Sequence, residues 1–149
     1  METSSYDRLE ASERELIDAA RAVADTAYAP YSNVRVGAAI RSADGAIITG
    51  SNVENAAYGA TICAERMAVG RANAEGHRAF THIAVTATGE HLASDHPVAP
   101  CGACRQVLHE MAAITGTDTR VLMATPGTDI ITVASLDELL PLPFDPLSL

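Results

Sequence analysis

The spacing of apolar residues predicts a helix near the start of the chain. Apolar positions recur three or four residues apart over 16–27. Ser12 and Glu15 stand just before this stretch at the spacing of a capping box, which predicts where the helix begins. Pro30 marks the latest point at which it ends.

A different pattern follows, in which apolar and polar residues alternate. This alternation runs over 34–41 and predicts a strand with one buried face. Asp44 and Gly45 predict a tight turn into a second strand at 46–48. The pattern therefore indicates a β-hairpin directly after the first helix.

The rest of the chain alternates between predicted helices and short runs rich in β-formers. The stretches 50–59 and 88–100 have the polar and glycine- or proline-containing character of loops. Five strands interleaved with helices predict an α/β domain with helices on the faces of one sheet. The remaining helices are predicted at 61–74, 102–113 and 135–140, and the remaining strands at 82–87, 120–124 and 129–133.

Length and charge limit the number of domains and the kinds of partner that the protein can have. A chain of 149 residues has the size of one domain, so we expect a single domain spanning 1–149. Ten Lys and Arg against nineteen Asp and Glu give a net charge of −9, which opposes binding to nucleic acid or to an anionic membrane. No apolar run approaches the roughly 18 residues of a membrane-spanning helix. A small molecule is the expected partner.

The cysteines carry the first chemical signal. Residues 1–12 match neither a secretory signal nor a transit peptide, so we expect a cytoplasmic protein whose three cysteines remain thiols. Cys101 and Cys104 form a C-x-x-C at a predicted helix start, which is typical of a redox dithiol or of half a zinc site. Cys63 also lies at a predicted helix start. Together the three would bind zinc and leave a fourth position open, as in a catalytic site.

Other interpretations of these residues stay open at this point. Each cysteine alone could be a small buried apolar residue. His96 could complete a closed structural zinc site of three cysteines and one histidine, in a binding module without enzymatic activity. Three thiolates and Zn²⁺ sum to −1, and we expect helix N-termini, Arg66 and Arg105 to offset that charge.

Seven short motifs together carry a resemblance to a known family. They are similar to those of the small homotetrameric zinc-dependent cytidine deaminases of pyrimidine salvage. The resemblance implies a three-layer α/β/α sandwich with a central mixed five-stranded sheet, one Zn²⁺ per chain and a pyrimidine nucleoside as substrate. The motifs are YAPYS at 28–32, VGAA at 36–39, GSNVEN at 50–55, YG at 58–59, TICAER at 61–66, PCGACRQVL at 100–108 and ELLP at 138–141.

The resemblance also implies roles for individual residues. Cys63, Cys101 and Cys104 would bind zinc, and Glu65 would carry protons between the attacking water, ring N3 and the departing amine, as in the nucleobase deaminases. Further residues would bind substrate, and two of these, Tyr58 and Phe144, would reach into a neighbouring subunit's site. Two other residues would lie around the zinc-binding cysteines. The substrate-binding set is Val34, Asn52, Glu54, Tyr58, Ala64, Ala99 and Phe144, and the residues around the ligands are Arg66 and Gln106.

One position departs from the family pattern. Val34 stands where the family usually has an aromatic residue packed against the base. The missing ring contact is worth on the order of 1 kcal/mol, which is enough to shift the choice of substrate but not to abolish activity. Deamination of another aminopyrimidine nucleoside, such as blasticidin S, therefore remains as an alternative to deamination of cytidine and deoxycytidine.

Overall fold

The computed structural model describes residues 1–90, 92–93, 95–116 and 118–145. Helices and strands follow one another along the chain, with a single parallel strand pair in the described sheet. The helices are α1 (Ala11–Ala24), α2 (Ala64–Ala74), α3 (Gly102–Thr115) and α4 (Leu136–Leu139), and the strands are β1 (Glu2–Ser5), β2 (Arg35–Ser42), β3 (Ile47–Ser51), β4 (Phe80–Thr88), β5 (Arg120–Ala124) and β6 (Ile130–Ser135).

The six strands form one mixed sheet in the order β1-β6-β5-β4-β2-β3. Strands β4 and β5 are parallel, and all other described neighbours are antiparallel. Helix α1 packs on one face, while α2 and α3 pack on the other. This confirms the predicted three-layer α/β/α architecture. No helix in the described part of the chain is long and apolar enough to cross a membrane.

The prediction of five strands was one short, because β1 was missed. Its sequence, ETSS, has no apolar alternation, and as an edge strand it needs only backbone pairing with β6. Charges hold it in place: Arg120 contacts Glu2 at 3.3 Å and donates to the buried Glu13 at 2.8 Å. The ammonium group of Met1 pairs with Glu138. An edge strand held by such contacts leaves little trace in the hydrophobic pattern.

The predicted capping box was also misplaced. Helix α1 begins at Ala11, and its capping box joins Glu10 to Glu13 rather than Ser12 to Glu15. The carboxylate of Glu13 accepts the Glu10 N–H at 3.0 Å and accepts from Arg120 as well, so the tertiary contact favours this register. The helix ends at Ala24, before Pro30. Helix α2 likewise begins three residues later than predicted, at Ala64.

Two glycines allow the helices to lie close to the sheet. A Cβ on Gly37 would stand 2.0 Å from the Ala20 carbonyl oxygen of α1. On the opposite face, a Cβ on Gly50 would stand 2.4 Å from the Ala68 nitrogen and 2.6 Å from the Ala64 oxygen of α2. All three distances are shorter than any non-bonded contact tolerates. Gly50 therefore fixes the depth at which α2 rests on the sheet, and with it the position of the first turn of α2.

Candidate metal centre and substrate cavity

Both helices on one face of the sheet begin at a cysteine. Cys63 is the N-cap of α2 and Cys101 is the N-cap of α3, each with an extended backbone. Cys104 lies in the first turn of α3. The three Sγ atoms lie within 4.8 Å of one another, and Cys101 and Cys104 are 3.5 Å apart. The fold therefore brings together the three thiols that the sequence singles out.

The three sulfurs fit a zinc ion. With Zn–S bonds near 2.3 Å, tetrahedral sulfur ligands stand about 3.8 Å apart. The Cys101–Cys104 separation of 3.5 Å and the limit of 4.8 Å on all three pairs are compatible with that spacing. Cys104 is buried, Cys63 is half-buried and Cys101 is exposed, so the group faces solvent on one side only. Two helix N-termini add partial positive charge beside the sulfurs. Within the described residues, no other histidine, cysteine or carboxylate group is arranged to hold a metal.

The three thiols differ in their ease of ionisation. Burial raises the pKa of Cys63 and of Cys104. Burial opposes ionisation of Cys101 as well, but hydrogen bonds from the backbone and then the thiol of Cys104, from the backbone of Ala103 and from the Cys63 thiol outweigh it and lower the pKa of Cys101. The exposed thiol is thus the one whose pKa is lowered, in part by the backbone at the start of α3.

Glu65 lies close enough to this group for its charge to act on the thiols of Cys63 and Cys104. It is the second residue of α2, and only 4% of it is exposed. Burial raises the pKa of this carboxyl, against smaller lowering effects of its own backbone N–H, the Cys104 thiol and the charge of Arg66. A carboxyl with a raised pKa exchanges protons more readily near neutral pH, which is the property of a general acid or base.

A cavity of about 340 Å³ opens beside Glu65 and two of the thiols. It collects most of the residues that the resemblance assigns to the site: Val34, Asn52, Glu54, Tyr58, Cys63, Ala64, Glu65, Ala99 and Cys101. Five further lining residues were not predicted: Ser32, Val36, Thr61, Val85 and Val98. Ser32, Val36 and Thr61 belong to quoted motifs, whereas Val85 lies in a predicted strand and Val98 in a predicted loop, and neither pattern indicates a role in a site.

The mouth of this cavity is held by a second glutamate. Glu54 accepts hydrogen bonds from the backbone N–H of Tyr31 at 2.9 Å, from that of Ser32 at 3.2 Å and from the Ser32 hydroxyl. The Ser32 hydroxyl, and after it the Tyr31 N–H, lower the pKa of Glu54. Glu54 is therefore an ionised acceptor that orders the 31–32 turn.

Asn52 holds the adjoining wall. Its buried side chain donates from Nδ2 to the Val34 carbonyl at 3.0 Å and accepts at Oδ1 from the Val36 N–H at 2.7 Å. The Ser32 hydroxyl oxygen accepts the Val34 N–H at 3.0 Å. An amide has two N–H donors and two acceptor lone pairs, so one of each remains on Asn52 for a ligand. The backbone of Val34 is thus held at both its N–H and its carbonyl, which sets the position of this residue in the cavity wall.

Other residues expected around the thiols form no hydrogen bond with a sulfur in the described part of the chain. Arg66 is exposed and has no hydrogen bond or ion pair with any residue that the structure describes, although its charge lowers the pKa of Glu65. Arg105, expected to donate to sulfur, instead donates to the carbonyls of Pro100 and Leu139, each at 2.8 Å. The Arg105 guanidinium thus supplies donors to two backbone carbonyls instead of to a sulfur. His96 is exposed and lies 3.9 Å from Asp95, outside the thiol group.

Gln106 and Phe144 contact each other outside the cavity. The Gln106 side chain bonds the backbone of Phe144 at both its carbonyl and its N–H. The Phe144 ring is 68% exposed and does not line the cavity of its own chain. The structure thus pairs two predicted site residues that no pattern along the chain connects.

The chain is similar to proteins of known family along most of its length. A family model described as "Cytidine and deoxycytidylate deaminase zinc-binding region" matches residues 10–117. A cytidine deaminase of Halalkalibacterium halodurans is 45% identical over 126 residues, which is 85% of this chain and 89% of that protein. A blasticidin-S deaminase of Bacillus cereus is 34% identical over 115 residues, covering 73% and 76%. The crystal structure of a cytidine deaminase from Burkholderia pseudomallei superposes with a TM-score of 0.75 at 44% identity, covering 87% of this chain and 97% of that one.

Proposed function

The chain belongs to the cytidine and deoxycytidylate deaminase family, and from this premise we propose that it hydrolyses cytidine and deoxycytidine to uridine and deoxyuridine with release of ammonia. Its cofactor is zinc, for which Cys63, Cys101 and Cys104 are positioned. The observation that carries the proposal is the buried Glu65 beside this thiol group, at the end of a cavity large enough for a nucleoside.

The proposed reaction is a hydrolysis at C4 of the base. A zinc ion held by the three thiolates supplies Lewis acidity, which makes water a better nucleophile at neutral pH. Glu65 takes the proton that water loses and delivers it to N3 as the oxygen adds to C4. It then takes the proton of the new C4 hydroxyl and delivers it to the exocyclic amine, so that the C4 carbonyl forms, the C4–N bond breaks and ammonia leaves. The burial that raises the pKa of Glu65 suits it to both directions of transfer.

The polar groups along the cavity support roles in holding the nucleoside. Asn52 and Glu54 bind the ribose hydroxyls with the hydrogen-bonding capacity that their backbone contacts leave free. The N–H of Ala64, at the start of α2, binds the base O2, and the carbonyl of Ala99 accepts from the exocyclic amine. Val34 forms the apolar wall against the base.

The proposed active form is a homotetramer in which Phe144, with Tyr58, completes a neighbouring subunit's cavity. Support comes from exposure: Phe144 is 68% exposed and Tyr58 89%, unusual for aromatic side chains without a partner. We assign the whole of 1–149 to one catalytic domain that works in the cytoplasm in pyrimidine salvage.

A second candidate keeps the chemistry and changes the substrate. The similarity to a blasticidin-S deaminase and the valine at position 34 favour a nucleoside with a larger base or altered sugar. Both candidates predict ammonia release, so the products must be identified.

The test is a deamination assay on the purified zinc-loaded protein with cytidine, deoxycytidine and blasticidin S. Uridine and deoxyuridine should form with kcat/KM at least tenfold above that for blasticidin S, and a zinc chelator should abolish turnover. A preference for blasticidin S would favour the second candidate. No turnover of any of the three by fully zinc-loaded protein would contradict both.

A further inference from the structure

The side chain of Gln106 forms two hydrogen bonds with the C-terminal segment, by which we mean residues 139–145. Its Nε2 donates to the Phe144 carbonyl oxygen at 2.6 Å, and its Oε1 accepts the Phe144 N–H at 3.1 Å. The carboxamide thus bonds Phe144 as a neighbouring β-strand would, through both polar groups of one residue. Both bonds are possible at once in only one orientation of the Phe144 backbone.

Such a contact determines where the Phe144 ring points. When N–H and C=O are both held, the plane of the backbone is fixed, and the Cα–Cβ bond is fixed with it. The ring leaves the segment toward solvent, 68% exposed. Arg105, the preceding residue of α3, holds the same segment at the Leu139 carbonyl. The helix that carries Cys104 therefore carries both anchors of the segment that presents Phe144.

We infer that Gln106 is a positioning residue, which acts by orienting Phe144 toward the cavity of a second copy of this chain. The inference rests on the proposed function, in which Phe144 completes a neighbour's cavity. It replaces the expectation that Gln106 belongs to the surroundings of the thiol group. Its described side-chain hydrogen bonds go to Phe144 and not to a sulfur.

A double-mutant cycle separates these two roles. Gln106→Met removes both bonds but keeps the length of the side chain and its helix propensity. If Gln106 acts through Phe144, Gln106→Met should lower kcat/KM for cytidine roughly three- to tenfold, mainly by raising KM, as expected for the loss of one or two hydrogen bonds. In a Phe144→Ala background the same substitution should cause no further loss.

Two further measurements keep the test independent of activity. Zinc content should stay at one per chain in Gln106→Met, and hydrogen exchange of the 139–145 segment should be faster because the Phe144 N–H loses its acceptor. Gln106→Glu is a second variant, which can still accept from the N–H but cannot donate to the carbonyl. Leu142→Ala is the matched control: Leu142 is 92% exposed in the same segment, and its removal should leave kcat/KM within twofold of the parent.

Several results would overturn the inference. An equal loss in both backgrounds, a fall in zinc content, or unchanged hydrogen exchange would each show that Gln106 does not act by holding Phe144. Wild-type kinetics in Phe144→Ala would instead remove the proposed role of Phe144 itself, and the inference with it. The failure of the inference alone is thus distinguishable from the failure of its premise.

Discussion

Glu65 and Glu54 line the same cavity, but their surroundings shift the pKa values of the two carboxyls in opposite directions. Glu65 is 4% exposed, and burial raises its pKa. Glu54 lies at the open end, where the Ser32 hydroxyl and the Tyr31 N–H lower its pKa. The difference suits one carboxyl to carrying protons and the other to remaining an ionised acceptor, a division of roles set by environment rather than residue type.

Removing zinc tests the buried end of the cavity, where Glu65 lies, and should have the largest effect on activity. Chelation should abolish deamination and lower the melting temperature, because an ion bound only to the folded chain stabilises it by mass action. Metal analysis should give one zinc per chain, and Cys63, Cys101 and Cys104 should resist thiol reagents until zinc is removed. Freely reactive thiols in the zinc-loaded protein would contradict the ligand assignment.

Glu54→Gln tests the open end of the cavity, where the Glu54 carboxylate accepts hydrogen bonds from residues 31 and 32. Loss of the charge weakens the hydrogen bonds that hold the 31–32 turn and those proposed to the ribose, so KM for cytidine should rise roughly 10- to 100-fold while kcat changes little. Glu75→Gln is the matched control, since Glu75 pairs with Arg71 on the surface of α2, outside the cavity lining. A fall in kcat with an unchanged KM would show that Glu54 acts in the chemical step and not in substrate binding, which contradicts the separate roles of the two glutamates.

Val34→Phe tests the apolar wall of the cavity between Glu65 and Glu54. An aromatic ring against the base should raise kcat/KM for cytidine roughly fivefold, as expected from about 1 kcal/mol of ring contact. Turnover of 5-substituted cytidines should fall, because the ring fills space that valine leaves open. A tenfold or larger loss with cytidine would mean that the wall held by Asn52 is shaped around valine, in favour of the second candidate substrate.

A substitution at His82 tests the opposite face of the sheet, where only the stability of the fold should respond. Burial lowers the pKa of His82, against the charge of Glu13, with Arg120 and Arg41 lowering it further. The unfolded chain therefore binds more protons at this residue, and stability is lost as the pH falls below about 6.5. His82→Gln should reduce the drop in melting temperature between pH 7.5 and 5.5 by roughly 2 °C, with kcat/KM unchanged. An equal drop in both proteins would contradict this pKa shift.

The parts of the site that were predictable from sequence are those set by local rules. Cys63 and Cys101 stand where helix starts were expected, so convergence of the thiols needed only the two helices to share a face of the sheet. The resemblance supplied most of the cavity lining. Strand β1 escaped prediction because its residues carry no apolar pattern, and the capping box shifted because Arg120 draws Glu13 into position.

The polar contacts between distant segments could not be predicted. Glu54 bonds Ser32 across 22 positions, and Gln106 bonds Phe144 across 38. Such contacts depend on where the fold leaves unpaired backbone groups, which no periodicity along the chain reports. The same reason explains why Arg105 was expected at sulfur and instead binds two carbonyl oxygens.

Turnover of cytidine by Glu65→Gln at full zinc occupancy tests the central claim most directly. The amide preserves the shape of the side chain but cannot carry protons, and general acid–base groups contribute about 10²–10⁴-fold. Because one residue serves every transfer, kcat should fall by about 10⁴-fold or more, with one zinc per chain and a melting temperature close to that of the parent. A zinc-loaded Glu65→Gln protein that retains a tenth of the parent kcat would contradict the assignment of Glu65 as the proton carrier.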